Sequence, residues 1–440
     1  MKKKSVFLDI ILNYNALLLG GLSGILINII ISYTHGPRGL GVFNQIYAFY
    51  VILSQLAVGG IHLSALKHVA GWQGSSATLG RIAWSSFFLS FPISVFFAIL
   101  CYLSSFVMNI VLSSSQVSQG IRYVSVALIF FSCNKIMLFI LNALQEMRLL
   151  AFWQAMRYIL MILSVCALIY LESNVYELGL SFTFSEAILF IGLLFSTLYK
   201  IPQLHKGFSA TWMKKHFNFG LRGICNGILI ELNTRVDILI LGIFSSDITV
   251  GLYSFSSMLI EGILGFLVVI RNQMNPFLAK LLKERNFAEI QRYFKKFSYY
   301  MFGSTFLILI MAAFTFDPLL AIFLELNPFL ESYYFFLILL AGVCIYSVYF
   351  PFDNILLLAG YPGKQSLLAF FSTTINILLN FALIPLWGAY GAAIGTSLAM
   401  IFSLVFFKIL TKKYLHLSLD LPRIHFSSQL HHSSLNCGVD

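Results

Sequence analysis

The residues best suited to chemistry in this 440-residue chain are charges set inside long apolar runs. Lys135, Arg157 and Arg235 are the basic members; Glu186, Glu231, Asp237 and Glu261 are the acidic ones. A charge at the centre of a membrane helix costs about 2.5–3.5 kcal/mol on the insertion scale, so each must pair or line a watery cavity. Glu231 and Arg235 stand four apart with the acid first, the favourable order for an intrahelical ion pair. Lys135 has no such neighbour, because Phe131, Ser132, Leu138 and Phe139 occupy its i±3 and i±4 positions. It needs a partner from another helix or an anionic ligand. Arg122, Arg222, Arg271 and Asp353 lie near the ends of their runs, where an interfacial or snorkelling position suffices.

Polar residues at similar depth accompany these charges: Asn13, Asn28, Asn134, Asn142, Asn226, Asn233, Asn376 and Asn380. They suit hydrogen bonds between helices or contact with a hydroxyl-rich sugar, and spacing alone does not separate the two. There is no nucleotide-binding loop, catalytic triad or Gly-rich phosphate cradle, so no cofactor is expected. None of the six cysteines falls in a CxxC or Cys/His metal spacing, and His431-His432 is a polar tail rather than a metal site.

The elements that must carry these residues are membrane helices. Hydrophobic residues make up 59% of the chain and charged residues only 10%, against roughly 25% charge in soluble domains. Such a chain cannot cover a globular surface in water. Apolar runs of about 20 residues, the length a membrane helix needs, number twelve. They fall near 11–33, 41–63, 82–104, 121–143, 150–171, 177–199, 219–243, 250–273, 298–317, 333–355, 365–385 and 389–410. The run after Met1-Lys2-Lys3-Lys4 is too long for a signal-peptide core and is read as a retained first span.

The net charge of +11 sits in clusters between runs, the pattern of membrane topology and not of a nucleic-acid groove. Most of the 28 basic residues fall in alternate loops, whereas the opposite loops hold only Arg38 together with several carboxylates. This predicts cytoplasmic N- and C-termini. The loop 200–218 sits at the chain's midpoint. It divides the chain into an N-terminal six-helix bundle (1–199) and a C-terminal one (219–413), followed by a cytoplasmic tail (414–440). Gly41-Val42-Phe43 and Gly251-Leu252-Tyr253 echo each other at an offset of 210 residues. Six spans return the chain to the same side, so the halves are expected to relate by a pseudo-two-fold axis along the membrane normal. The fold class is therefore all-α and polytopic. Small residues four apart, Gly20 with Gly24 and Gly391 with Gly395 and Ala399, predict close helix packing.

Several segments together resemble a known family. They are Gly36-Pro37-Arg38-Gly39-Leu40-Gly41-Val42-Phe43, Gly60-Ile61-His62-Leu63-Ser64-Ala65-Leu66-Lys67, Arg235-Val236-Asp237 through Gly242, Val250-Gly251-Leu252-Tyr253, Asn376 through Pro385, and Gly388 through Thr396. Over about residues 5–410 the chain resembles the polysaccharide-transporter family, specifically O-antigen or repeat-unit flippases of the multidrug/oligosaccharidyl-lipid/polysaccharide exporter superfamily. The resemblance implies two six-helix bundles around a central cavity in the bacterial inner membrane. It implies that an undecaprenyl-diphosphate-linked oligosaccharide moves from the cytoplasmic to the periplasmic leaflet by alternating access. Its partners would be that lipid-linked oligosaccharide, the phospholipid bilayer, and the polysaccharide polymerase and chain-length machinery; nucleic acid is not among them.

On this reading Lys135, Arg157 and Arg235 are candidates for the diphosphate and Asn376 and Asn380 for the sugar. Glu231, Asp237 and Glu261 are candidates for ion coupling. A multidrug or cation antiporter of the same superfamily would favour a mainly acidic cavity, and the basic mid-span residues weigh against it. A membrane polysaccharide polymerase would carry a large outer loop, which the short loops here do not supply. The protein is therefore expected not to be an enzyme.

Overall fold

A computed structural model describes residues 3–72, 74–112, 114–202, 208–324 and 329–419, and these contain helices and no strand. Lys206, Glu325, His431, His432 and Cys437 lie outside them, as do most of the tail and part of the midpoint linker. In chain order the helices are α1 (Lys3–Val58), α2 (Ile61–Ala70), α3 (Ser76–Val111), α4 (Ser115–Ser125), α5 (Ala127–Ala143) and α6 (Met147–Tyr170). A 3-10 turn (Val175–Gly179) then leads into α7 (Leu180–Lys200), which completes the first half. The second half holds α8 (Ala210–Phe244), α9 (Asp247–Lys283), α10 (Phe287–Leu324), α11 (Ser332–Ser347), α12 (Ile355–Leu358) and α13 (Pro362–Leu415).

The 56-residue α1 and the 54-residue α13 are each two spans folded back on themselves. A straight helix rises 1.5 Å per residue, so positions 16 apart would be about 24 Å distant. Asn44 Nδ2 nevertheless donates to Asn28 Oδ1 at 2.8 Å, which requires a reversal between them. Gly36 supplies it at φ 65°, ψ −169°, a conformation essentially confined to glycine. Pro37 then starts the return helix, where its fixed φ fits and its missing N–H costs nothing. Gly388, at φ 55°, ψ −130°, reverses α13 in the same way, and a Cβ on Gly395 would lie 3.5 Å from the backbone nitrogen of Asn380.

Among the described residues, seven helices are long and apolar enough to cross a membrane. Two bent pairs, α4 with α5 at 47° and α11 with the segment Phe350–Leu358 at 50°, each form one more broken span. Dividing α1 and α13 at their glycines adds two. The remaining span is α8, which Arg222, Glu231, Arg235 and Asp237 keep out of the apolar count. The twelve spans are thus those expected from the apolar runs, except that the fourth and tenth are broken.

The reversals at Gly36 and Gly388 mark one end of the molecule, called here the turn end; the loops rich in Lys and Arg mark the basic end. Toward the turn end a single hydrophobic core runs through both halves, joining Leu40, Phe43 and Ile46 of α1 to Leu241 of α8 and to Val250, Tyr253 and Phe255 of α9. Toward the basic end the cores are separate. One is built on α2, α3 and α5 around Trp84, and another on α9, α10 and α13 around Phe294 and Phe352. The exception at that end is α8, whose buried His216 faces Ser64 Oγ at 2.9 Å and the Ile82 carbonyl at 3.0 Å.

Candidate functional site

The seam between the halves brings together charges that are far apart in sequence. On α5, Lys135 Nζ donates to Gln55 Oε1 of α1 at 2.7 Å and forms no ion pair among the described residues. Its ammonium stands 5.5 Å from the centre of the Phe131 ring, and the Arg157 guanidinium of α6 stands 5.0 Å from the same ring. Two cations therefore share one aromatic ring, an arrangement in which the ring quadrupole offsets part of their desolvation. Phe131 is fixed in turn by an edge contact with Tyr50 of α1 at 5.7 Å.

Arg157 is neutralised by Glu186 of α7. Its Nε lies 2.9 Å from one carboxylate oxygen, and its Nη2 donates to the other at 3.1 Å. Asn134 Nδ2 donates to the same carboxylate at 2.7 Å, so the buried acid is held from two helices. Removing one partner of such a pair costs about 3–5 kcal/mol, because the other is left as a buried charge.

In the second half Arg235 does not form the intrahelical pair with Glu231 that their spacing predicts. It turns to Glu261 of α9 in a bidentate contact, with bonds of 2.6 and 2.9 Å. The planar fork of arginine matches a carboxylate, and a partner on a neighbouring helix presents both oxygens where one four residues back does not. The guanidinium also lies over Tyr47 of the first half at 4.9 Å, so this pair spans the seam. Glu231, released from that role, interacts electrostatically with both Lys135 and Arg235. Lys135, Glu231, Arg235 and Glu261 thus form a charged band across the two halves.

Asp237 lies elsewhere. It is 4% exposed, accepts a short hydrogen bond from the Tyr253 hydroxyl and one from the Ile238 backbone N–H at 2.9 Å, and faces Thr396 Oγ1 at 3.4 Å. It ties α8 to α9 and α13 within the second half. Asn376 and Asn380 are also buried in helix contacts. Asn376 Nδ2 donates to the Asn233 carbonyl of α8 at 3.0 Å, and Asn380 Nδ2 donates to Asn376 Oδ1 at 2.7 Å. The Asn376 amide is thus occupied by α8, and the Asn380 amide by the turn of α13 that carries Asn376. The side chains of Asn13 and Asn226 lie outside those described.

Two end-of-run charges expected to sit at the interface are a pair: Arg271 Nη1 contacts Asp353 Oδ2 at 2.8 Å. The break before α12 turns Asp353 inward to reach α9. Sequence reading missed Gln55, Tyr47 and Phe131 as members of the band. The available signal was a polar or aromatic residue within an apolar run, which many lipid-facing positions share. No group of His, Cys, Asp and Glu among the described residues is arranged to hold a metal ion.

At the turn end the seam is closed. Gln45 Nε2 donates to Asp247 Oδ1 across it at 2.9 Å, and the backbones of Gly41 and Gly251 meet.

This architecture is shared with solved transporters. A structure titled lipid II flippase MurJ, inward closed conformation, aligns with a TM-score of 0.74 at 15% identity, covering 92% of this chain and 87% of that one. An inward-facing multidrug resistance MATE family transporter of the MOP superfamily aligns at 0.70 and 14% identity, covering 90% and 95%. A MOP superfamily transporter from Pyrococcus furiosus, whose title describes a binding pocket of reverse polarity, aligns at 0.57 and 15% identity, covering 91% and 95%. At these identities the likeness establishes the fold. No curated protein sequence matches the chain. The profile described as polysaccharide biosynthesis protein matches residues 37–326, most of the chain. With that match over most of its length, the chain belongs to the polysaccharide biosynthesis protein family.

Proposed function

We propose that this protein is a flippase for an undecaprenyl-diphosphate-linked oligosaccharide repeat unit of the O-antigen type, moving it from the cytoplasmic to the periplasmic leaflet by alternating access. The observation that carries this reading is Lys135, a cation at the seam held by an amide oxygen and, among the described residues, by no carboxylate. A diphosphate entering the seam would supply the missing anion. It would also compete with Glu186 for Arg157 and with Glu261 for Arg235, exchanging internal ion pairs for charge-assisted contacts to substrate. The polyprenyl chain would stay in lipid while the sugar crossed between the halves.

The basic loops support cytoplasmic termini and an inner-membrane location, with bundles 1–199 and 219–413 joined by the linker 200–218. In that orientation the shared core at the turn end and the separate cores at the basic end correspond to a state open toward the cytoplasm. Of the ion-coupling candidates, Glu231 is best placed, since it interacts with both Lys135 and Arg235 and has no ion pair of its own among the described residues. Glu261 would act through Arg235, and Asp237 through Tyr253 and Thr396. Asn376 and Asn380 would meet sugar only in a conformation that parts α8 from α13. The polymerase and chain-length machinery of surface polysaccharide synthesis are the expected partners.

The test is transport in vesicles carrying a fluorescent lipid-linked oligosaccharide, with a cationic dye in parallel. The expected result is glycan transport that Lys135→Ala abolishes while the protein remains folded in the membrane. Normal glycan transport by that variant would remove Lys135 from the mechanism. Transport of the dye and not the glycan would establish a multidrug antiporter instead.

A further inference from the structure

A second polar feature lies far from the seam charges. At the turn end of the first half, α3 and α4 part around a cavity of about 570 Å³ whose lining includes Tyr102, Asn109, Ser118, Gln119, Arg122 and Tyr123. Arg122 is held in place from one side, with Nε donating to Ser105 Oγ at 3.1 Å and the guanidinium over Phe106 at 4.5 Å. Among the described residues no carboxylate pairs with it, and the Gln119 side chain has no partner. Ser118 Oγ donates to Asn109 Oδ1 at 3.0 Å, which orients that amide on the opposite wall.

Depth and surroundings identify the occupant. Arg122 lies seven residues beyond Ser115, the first residue of α4, a rise of about 10 Å. Helical side chains lean toward the N-terminus, so its guanidinium reaches back to the level of the lipid headgroups. The α3 wall beside it presents Leu103, Phe106, Val107 and Ile110, all exposed where acyl chains would lie. An arginine with no carboxylate partner among the described residues, set beside an apolar face, has the chemistry to receive an anion at the lipid border. The cavity falls within the roughly 300–1,000 Å³ of small-molecule sites, room for a headgroup and not only for a bare anion.

We propose that this cavity binds the phosphate-bearing headgroup of a membrane lipid, with the phosphate on Arg122 and the headgroup hydroxyls on Asn109, Ser118 and Gln119. The site is independent of the charged seam and does not depend on which cargo the seam carries. The planar guanidinium offers the phosphate two parallel donors, and the amides set apart a hydroxylated headgroup from a plain one.

The test is native mass spectrometry of the full chain in detergent with added phosphatidylglycerol, and with diacylglycerol or inorganic phosphate in parallel. Arg122→Ala is expected to weaken retention of phosphatidylglycerol about tenfold, as loss of a charged hydrogen-bond pair does. Gln119→Ala, which removes no hydrogen bond or ion pair among the described residues, is expected to weaken it less, and Arg122→Lys to restore part of it. Equal retention by wild type, Arg122→Ala and Gln119→Ala would overturn the proposal. So would equal retention of diacylglycerol, which lacks the phosphate. Displacement of the lipid by an equal concentration of inorganic phosphate would show a free-anion site and overturn the lipid assignment.

Discussion

Gly41 and Gly251, 210 residues apart, meet backbone to backbone at the turn end of the seam. A Cβ on Gly41 would strike the carbonyl of Asp247, four residues before Gly251; a Cβ on Gly251 would strike the carbonyl of Pro37, four residues before Gly41. The contact is its own mirror under exchange of the halves, as a contact on a two-fold axis must be. The glycine at Gly36, where α1 reverses, likewise corresponds to Ser246, where α8 gives way to α9.

Adding even one methyl at this crossing forces the halves apart. Gly41→Ala and Gly251→Ala are each expected to destabilise the closed seam by about 1–3 kcal/mol, the range for overpacking a filled interface. Because they share one contact, the double variant is expected to cost clearly less than the sum. Thermal unfolding in detergent measures the costs, and labelling of a cysteine placed at Gln45 measures opening. Strict additivity would show that the two glycines do not act on one contact.

The ion pairing of Arg235 is decided by a double-mutant cycle. Coupling of about 1–3 kcal/mol is expected between Arg235→Gln and Glu261→Gln, and markedly less between Arg235→Gln and Glu231→Gln. The reverse order would restore the intrahelical pair.

Glu186→Gln is expected to be among the most destabilising single changes in the first half. It leaves the Arg157 guanidinium without its counter-charge, and about 3–5 kcal/mol is the scale for a buried pair broken on one side. Adding Arg157→Met to Glu186→Leu is expected to recover most of the loss, read as detergent-solubilised yield and melting temperature.

Lys135 is expected to behave in the opposite way. Among the described residues its one hydrogen-bond partner is the Gln55 oxygen, so Lys135→Met costs about 1 kcal/mol or less in stability while glycan transport is lost. Wild-type transport with reduced stability would mark it as a structural residue.

Asn376→Ala is expected to destabilise by about 1–3 kcal/mol, since it removes the buried bond to the Asn233 carbonyl and one of the two that hold the Asn380 amide. Transport per folded molecule measures whether the asparagine also meets sugar. An unchanged value would confine it to packing.

Much of the architecture is legible from one sequence because a bilayer imposes a single rule. Each crossing needs about 20 apolar residues with its backbone satisfied internally, and loop charges follow one side. That rule reads out twelve spans and the alternation of the basic loops, with Lys135, Glu231 and Glu261 near mid-span and Arg157 and Arg235 at intermediate depth. Pairing between helices is a different kind of quantity. Helical spacing brings Glu231 within reach of Arg235, but only the packing of α9 against α8 presents both oxygens of Glu261 to the guanidinium. The same holds for Gln55 opposite Lys135, for Phe131 beside two cations, and for Asn376 turned toward α8. Sequence determined which residues sit at membrane depth, because burial in lipid is a property of composition and length. Tertiary structure alone decided which of them touch, because that depends on helix rotation and crossing, which no local pattern encodes.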